Sequence, residues 1–427
     1  MKKIVLLICF LCFVNQVFAT KYYCDPARGN MKNDGTSKSP WSTLDSVFIV
    51  NKKLLPGDTV FLRTGYHGFP IIKGNLESSG YITILPQSGH QPTASKIIIE
   101  NAKNWKIVGL KVNPDFGLAE KGELVSIKSN ASFITIENFN ISSTDSCINK
   151  WTAGKLLAKA RLAIRVEGQD CTLTNNTIKQ VTFGVSVAKT AVRTKFSRNV
   201  IYGFLHDGMR GLSDDSIFEY NFVAGSYAID DNHDDGFQSW STDENGKVGM
   251  GKVSNVTLRG NVFISQLDPD QPFPQEKSGM QGIGCFDGFF ENWTVENNVV
   301  ITNMWHGISF YGAKNVKITN NTLLSNPLQT NKFAPWIGVY SHKKLGESIG
   351  NTVSNNLTTG LNEMKGVITN SNNLKISPDL IDQYLENWMD FDIRLKSGKN
   401  TKANVGAELT DLPRINHKLY ACSETKK

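Results

Sequence analysis

Apolar residues along this chain recur in a short pattern. An apolar residue, two variable residues, an asparagine, one further residue and usually another apolar one appear seven times. The segments are Leu173–Ile178, Phe196–Ile201, Phe218–Val223, Leu258–Phe263, Val295–Val300, Ile318–Leu323 and Val353–Thr358. Their asparagines, Asn176, Asn199, Asn221, Asn261, Asn298, Asn321 and Asn356, are separated by 23, 22, 40, 37, 23 and 35 residues. The short gaps predict one turn of a parallel β-solenoid, and the long ones predict the same turn carrying an insertion. Each side-chain amide would bond its equivalent one strand spacing away, ~4.8 Å along the stack.

A second repeat runs beside the first: Leu162–Gly168, Gly184–Lys189, Gly208–Ser213, Gly236–Ser241, Gly282–Asp287, Gly307–Gly312 and Ile337–His342. Alternation within these strands turns Ile164, Val166, Val185, Val187, Met209, Phe237, Ile283, Cys285, Ile308, Phe310 and Val339 inward. Arg165, Ser186, Arg210, Gln238, Gly284 and Ser309 then stack on the outer face. Two rungs echo each other further, because H-D-G-M-R-G-L from His206 and D-D-G-F-Q-S-W from Asp234 occupy corresponding places 28 residues apart. Two insertions break the pattern and are expected to wall a cleft on this face. Asp145–Lys159 is basic with helical character, and Gln266–Met280 is rich in Pro and Gln.

Toward the N-terminus, Asn33–Thr36 reads N-D-G-T, Pro40–Leu44 reads P-W-S-T-L and Pro56–Val60 reads P-G-D-T-V. These segments resemble the N-terminal cap of right-handed parallel β-helix proteins of the pectate lyase superfamily. The resemblance implies an all-β, single-stranded right-handed parallel β-helix with an N-terminal cap. It also implies a broad carbohydrate-acting group rather than one reaction. Phe391–Ala407 resembles the last turn of such solenoids, with a polar tail after it. A single domain over residues 20–420 is therefore expected, although the length alone would suggest two.

Residues 1–19 read as a secretion signal. Lys2 and Lys3 precede the apolar run Ile4–Val14, and Val17-Phe18-Ala19 has the form of a cleavage site. The run is too short to span a bilayer. A secreted or periplasmic protein, monomeric and without membrane attachment, is the expectation. Removing the signal lowers Lys+Arg from 46 to 44 against 39 Asp+Glu. This mild basic excess suits an anionic substrate, but it is too dispersed for nucleic acid. Cys24, Cys147, Cys171, Cys285 and Cys422 remain, too few for a disulfide-built scaffold. Cys147 and Cys171 lie about one turn apart and are candidates for a disulfide, and Cys285 reads as inert core.

Polar residues accumulating on the outer face of consecutive turns would form the site. A lyase acting on uronic acids needs a cation for the C6 carboxylate, a base for the C5 proton and an acid for the leaving oxygen. Arg210 or Arg165 suits the first role, because a guanidinium grips carboxylate bidentately. Lys189 or His233 would be the base and Tyr311 or His306 the acid. Asp235 would orient His233 or Arg210, while Gln238 and Trp240 would bind sugar rings beside His206. His233-Asp234-Asp235-Gly236-Phe237 is similar to the "H-x-D-G-F" element of alginate-modifying lyases and C5-epimerases. Their "D-P-H" element is matched only by Asp231-Asn232-His233. An alginate-like anionic polysaccharide is thus the expected substrate. Three alternatives stay open. One is a glycoside hydrolase using Asp207 and Asp235, another a C5-epimerase, and the third a non-catalytic glycan-binding solenoid. The motifs assign no cofactor, and Ca²⁺ on Asp214, Asp215, Asp230, Asp231 and Asp234 is an open alternative.

Overall fold

The computed structural model describes residues 19–77, 80–117, 122–144, 151–273, 279–328, 334–362, 367–399 and 405–414. Residues 1–18, on which the expected secretion signal falls, Cys147 and Cys422 lie outside them, as do residues 145–150 of the first insertion and 274–278 of the second.

Each turn of the solenoid contributes one strand to each of three parallel sheets, here called the middle, back and site sheets. The repeated hexapeptide is a middle strand, a tight bend and a back strand. Its first residues, from Leu173 through Phe196, Phe218, Leu258, Val295 and Ile318 to Val353, are in register and fully buried. Its last residues, Ile178, Ile201, Val223, Phe263, Val300, Leu323 and Thr358, stack in the same way in the back sheet. At the bend, the residue before each ladder asparagine has a left-handed backbone, as at Asn175, Asn297, Asn320 and Asn355. Asparagine tolerates that region better than other non-glycine residues, which explains the N-N pairs in the sequence.

The ladder forms as the spacing predicts. From Asn176 upward, each Nδ2 donates to the Oδ1 of the next asparagine at 2.8–3.0 Å. It runs one rung further than the repeat, to Asn373. Each Oδ1 also accepts the backbone N–H of the asparagine below, so these buried amides are satisfied.

The N-terminal cap pairs Lys21–Cys24 with Thr59–Leu62 and lays the helix Leu44–Ile49 over the end of the core. Thr43 caps that helix, and Trp41 stacks on Tyr22 at 4.5 Å. The other end departs from the expected last turn. Leu374–Lys375 is the last parallel strand of the back sheet, and Leu385–Asn387 then pairs antiparallel with Asp392–Leu395. Phe391, left-handed at φ 57°, reverses the chain there, and it packs with Trp388 against the back-sheet side.

The insertions also differ from expectation. The helix Ala153–Lys159 forms, but its Leu156 packs with Tyr202 and Leu205 on the back-sheet side. In the second insertion, Gln271 donates to the Ser226 carbonyl and Phe273 meets Tyr227 edge-on. The described parts are not among the residues that line the two cavities of about 390 and 250 Å³ on the site face. The wall comes instead from the segment after Trp240, which returns through Thr242 and Lys252. Cys24, Cys171 and Cys285 are buried free thiols, and burial pushes Cys285 well above its usual pKa.

Candidate active site

The site sheet bends where glycines meet the back sheet. A Cβ on Gly208 would lie 2.3 Å from Val223, and one on Gly236 2.7 Å from Phe263. No side chain fits there, and Gly282 and Gly307 repeat the packing against Val300 and Leu323. After each glycine the next residue, Met209 or Phe237, also enters the core. The aspartates before the glycines therefore face the same way as Arg210 and Gln238. Asp207 pairs in register with Asp235, and Arg210 with Gln238. The full outer column, Arg165, Ser186, Arg210, Gln238, Gly284 and Ser309, is in register as the alternation predicts.

Both aspartates are sealed beneath their neighbours. Asp207 Oδ2 accepts from Arg210 Nε at 2.9 Å and from its second terminal nitrogen at 2.6 Å. The guanidinium also lies 4.6 Å from the Phe183 ring centre. Asp235 Oδ2 accepts from Gln238 Nε2 at 3.0 Å and faces His233 Nδ1 at 3.2 Å. The side chains of Asp207 and Asp235 are 1% and 0% exposed, whereas those of Arg210 and His233 are 24% and 51% exposed. The cation and the imidazole stand in front and the carboxylates behind.

Electrostatics follow from that layering. Burial, and then the neighbouring Asp235 charge, push Asp207 up to about 7 against the pull of Arg210. Burial raises Asp235 as well, opposed chiefly by its hydrogen bond from His233. The same hydrogen bond raises His233 and favours its imidazolium. Burial, followed by the charge of His233, lowers His306 and favours its neutral form. Asp234 faces away from this group and is raised well above its usual value by burial.

His233, Gln238, Trp240, Gln281, Phe286 and His306 line one cavity of about 250 Å³. His306 Nδ1 lies 3.1 Å from Ser309 Oγ, and its ring meets Phe286 and Tyr311 edge-on. Trp240 follows a register shift after Ser239, which pairs it with Asp287 instead of its regular partner. A bulge of this kind re-aims a side chain, and Trp240 lines a second cavity too, of about 390 Å³. Arg165 and Lys189 belong to that second cavity. Arg165 is paired with Glu167 at 3.2 Å, and Lys189 Nζ donates to the carbonyl of Thr242 at 2.7 Å. His206 sits at the strand entrance with Nε2 3.2 Å from Asp230.

The structure thus gathers Arg210, His233, Asp235, Gln238, Trp240 and His306, with Tyr311 beside His306. It sets Arg165 and Lys189 apart in a neighbouring cavity. Sequence reasoning missed Gln281, Phe286 and Phe183. Phe286 follows the inward Cys285, so alternation alone would have turned it outward.

The aspartates considered for Ca²⁺ have local tasks: Asp214 accepts from Ser254 N at 2.7 Å and Asp215 from Asn255 Nδ2 at 2.8 Å. Among the described residues no three His, Cys, Asp or Glu side chains are arranged to hold a metal ion.

The family described as right handed beta helix region matches residues 95–358. No curated protein sequence matches the chain. Among solved structures, a lacto-N-biosidase from Eubacterium ramulus aligns at 13% identity and a TM-score of 0.48, covering 84% of this chain and 68% of that one. A rhamnogalacturonan lyase aligns at 16% identity and 0.43, covering 92% and 97%. A pectate lyase aligns at 14% and 0.42, covering 93% and 96%.

Proposed function

The chain belongs to the right-handed beta helix family, and from that premise we propose that it is a secreted carbohydrate-active enzyme, a lyase that cleaves a uronic-acid-containing polysaccharide by β-elimination. One observation carries the reading: the imidazoles of His233 and His306 line the cavity, the partly exposed Arg210 stands on the neighbouring rung, and Asp207 and Asp235 are buried behind Arg210 and His233. A hydrolase working with two carboxyl groups needs both at the sugar. The carboxylates that do reach the groove, Glu167 and Asp287, are each paired with a base and line different cavities.

In this mechanism Arg210 binds the C6 carboxylate of the substrate and makes the C5 proton removable. Neutral His306, in the tautomer whose Nδ1–H would donate to the Ser309 Oγ 3.1 Å away, takes that proton on Nε2. The C5–H electron pair becomes the C4–C5 double bond as the C4–O bond breaks. The leaving oxygen takes a proton from the His233 imidazolium, which Asp235 keeps charged. The directions of the two histidine shifts support this assignment, which moves the base role from Lys189 or His233 to His306. Gln238 and Trp240 hold the sugar rings on either side. The apolar N-terminal run and its Val17-Phe18-Ala19 site support export.

The test is a screen of alginate, pectate, glucuronan and glycosaminoglycans, with and without chelator, read by the ultraviolet absorbance of unsaturated uronate. A rise in absorbance on at least one polymer is expected. New reducing ends without absorbance would mean hydrolysis, and altered uronate composition at constant chain length would mean epimerisation.

A further inference from the structure

The two ends of the site face differ in kind. Toward the N-terminal rungs, Arg165, Lys189 and Lys252 line the cavity with Glu167 as the lone carboxylate among its walls. Toward the C-terminal rungs, rings predominate, and the carboxylate among the cavity walls, Asp287, is paired with Lys343. Phe286 lies 5.0 Å from His306 and 5.5 Å from Tyr311, Tyr311 stacks on Tyr340 at 4.6 Å, and His306 meets Trp336 at 5.4 Å. Trp305, 48% exposed, lies nearly parallel to Trp336 with an interplanar angle of 19°.

The outer column leaves room for these rings. Its positions on the three rungs are Gly284, Ser309 and Gly338, none of them charged. A Cβ on Gly284 would lie 2.5 Å from the Phe286 ring, and one on Gly338 2.6 Å from the Tyr340 ring. The glycines let those rings settle across the sheet. Lys343, at the margin, is paired with Asp287 at 3.2 Å.

We propose that this aromatic end is a subsite for an uncharged sugar ring, so that the substrate is a heteropolymer in which a uronate is joined to a neutral sugar. The inference rests on the lyase reading above and narrows its substrate away from an alginate-like homopolymer. A pyranose presents C–H faces that pack on such rings, whereas a uronate there would lose carboxylate hydration and meet, among the described rings and column positions of that end, no lysine or arginine, and Lys343 is already paired with Asp287. From Arg165 to Gly338 the column crosses six strand spacings, ~29 Å, room for several sugars in line. The neutral ring lies on the C-terminal side of the bond that is cut.

The experiment compares the wild-type protein with Trp305→Ala on two polymer sets. Hyaluronan and gellan join glucuronate to neutral sugars, while alginate, pectate and glucuronan are built from uronates alone and are here called homopolyuronates. Unsaturated ends and binding are both measured. Trp305 is exposed enough for its loss to leave the fold intact, and Trp305→Phe serves as the conservative control. The proposal expects turnover of a mixed polymer above that of every homopolyuronate. It also expects kcat/KM on the mixed polymer to fall roughly 3- to 10-fold in Trp305→Ala, through KM, with recovery in Trp305→Phe. Equal or better turnover of a homopolyuronate, indifferent to Trp305→Ala, would overturn the subsite and leave the lyase intact. Binding of a mixed polymer that weakens in Trp305→Ala, with no unsaturated ends from any polymer, would uphold the subsite and sink the lyase reading. Neither binding nor turnover on any polymer would overturn both.

Discussion

Asn261 sits at the centre of the ladder, fully buried, on the rung between the two long insertions. Its Oδ1 accepts from the backbone N–H and Nδ2 of Asn221 at 3.1 and 2.9 Å. Its Nδ2 donates to the Phe218 carbonyl at 2.9 Å and to Asn298 Oδ1 at 3.0 Å. Asn261→Ala removes all four bonds and leaves their partners without water. At a net worth near 1 kcal/mol per bond, the loss is about 4 kcal/mol. Denaturant unfolding measures it, and exchange of the Asn221 amide, which loses its acceptor, reports it locally. Asn261→Asp keeps the acceptor but sets a carboxylate against the Phe218 carbonyl and Asn298 Oδ1. Its folded pKa rises above the unfolded value near 3.9. The penalty is absent below that value and grows as pH rises, so Asn261→Asp regains stability on acidification. A loss under about 1 kcal/mol in Asn261→Ala, with Asn221 exchange unchanged, would refute the ladder as a structural element.

Three further outcomes are expected. Arg210→Ala lowers kcat/KM about 100- to 1000-fold while circular dichroism and the unfolding midpoint report a folded protein. Asp235→Asn removes the carboxylate that raises His233, so the alkaline limb of the pH profile of kcat/KM moves to lower pH; the acid limb, set by His306, moves less and in the opposite direction, because burial outweighs the His233 charge in holding His306 down. Gly236→Ala puts a methyl 2.7 Å from Phe263 and 3.0 Å from the Gly282 carbonyl. It costs about 1–3 kcal/mol, seen as a lowered thermal midpoint.

The parts of this protein that repeat were legible in its sequence. The asparagine spacing placed every ladder residue but Asn373, which follows after only 17 residues and without the full hexapeptide. Alternation placed Arg210 and Gln238 on one face. It could not place Asp207 and Asp235 beneath them, because alternation fails at Gly208 and Gly236, where two consecutive residues face inward. Nor could it show Trp240 shifted by a bulge. The insertions were recognised by their break in pattern, but which side they cover depends on packing partners such as Tyr227 and Leu205 that lie far along the chain. The histidine roles depend on burial and on a single hydrogen bond to Asp235, neither of which is written in composition or spacing.

Elimination and hydrolysis differ in one atom group that can be weighed. Oligosaccharides released from a uronate-containing polymer in heavy-oxygen water would be analysed by mass spectrometry. The account predicts that the fragment formed beyond the cut lacks the elements of water and carries no heavy oxygen at its unsaturated end. Heavy oxygen at the new reducing ends, with no water-deficient fragment, would contradict it.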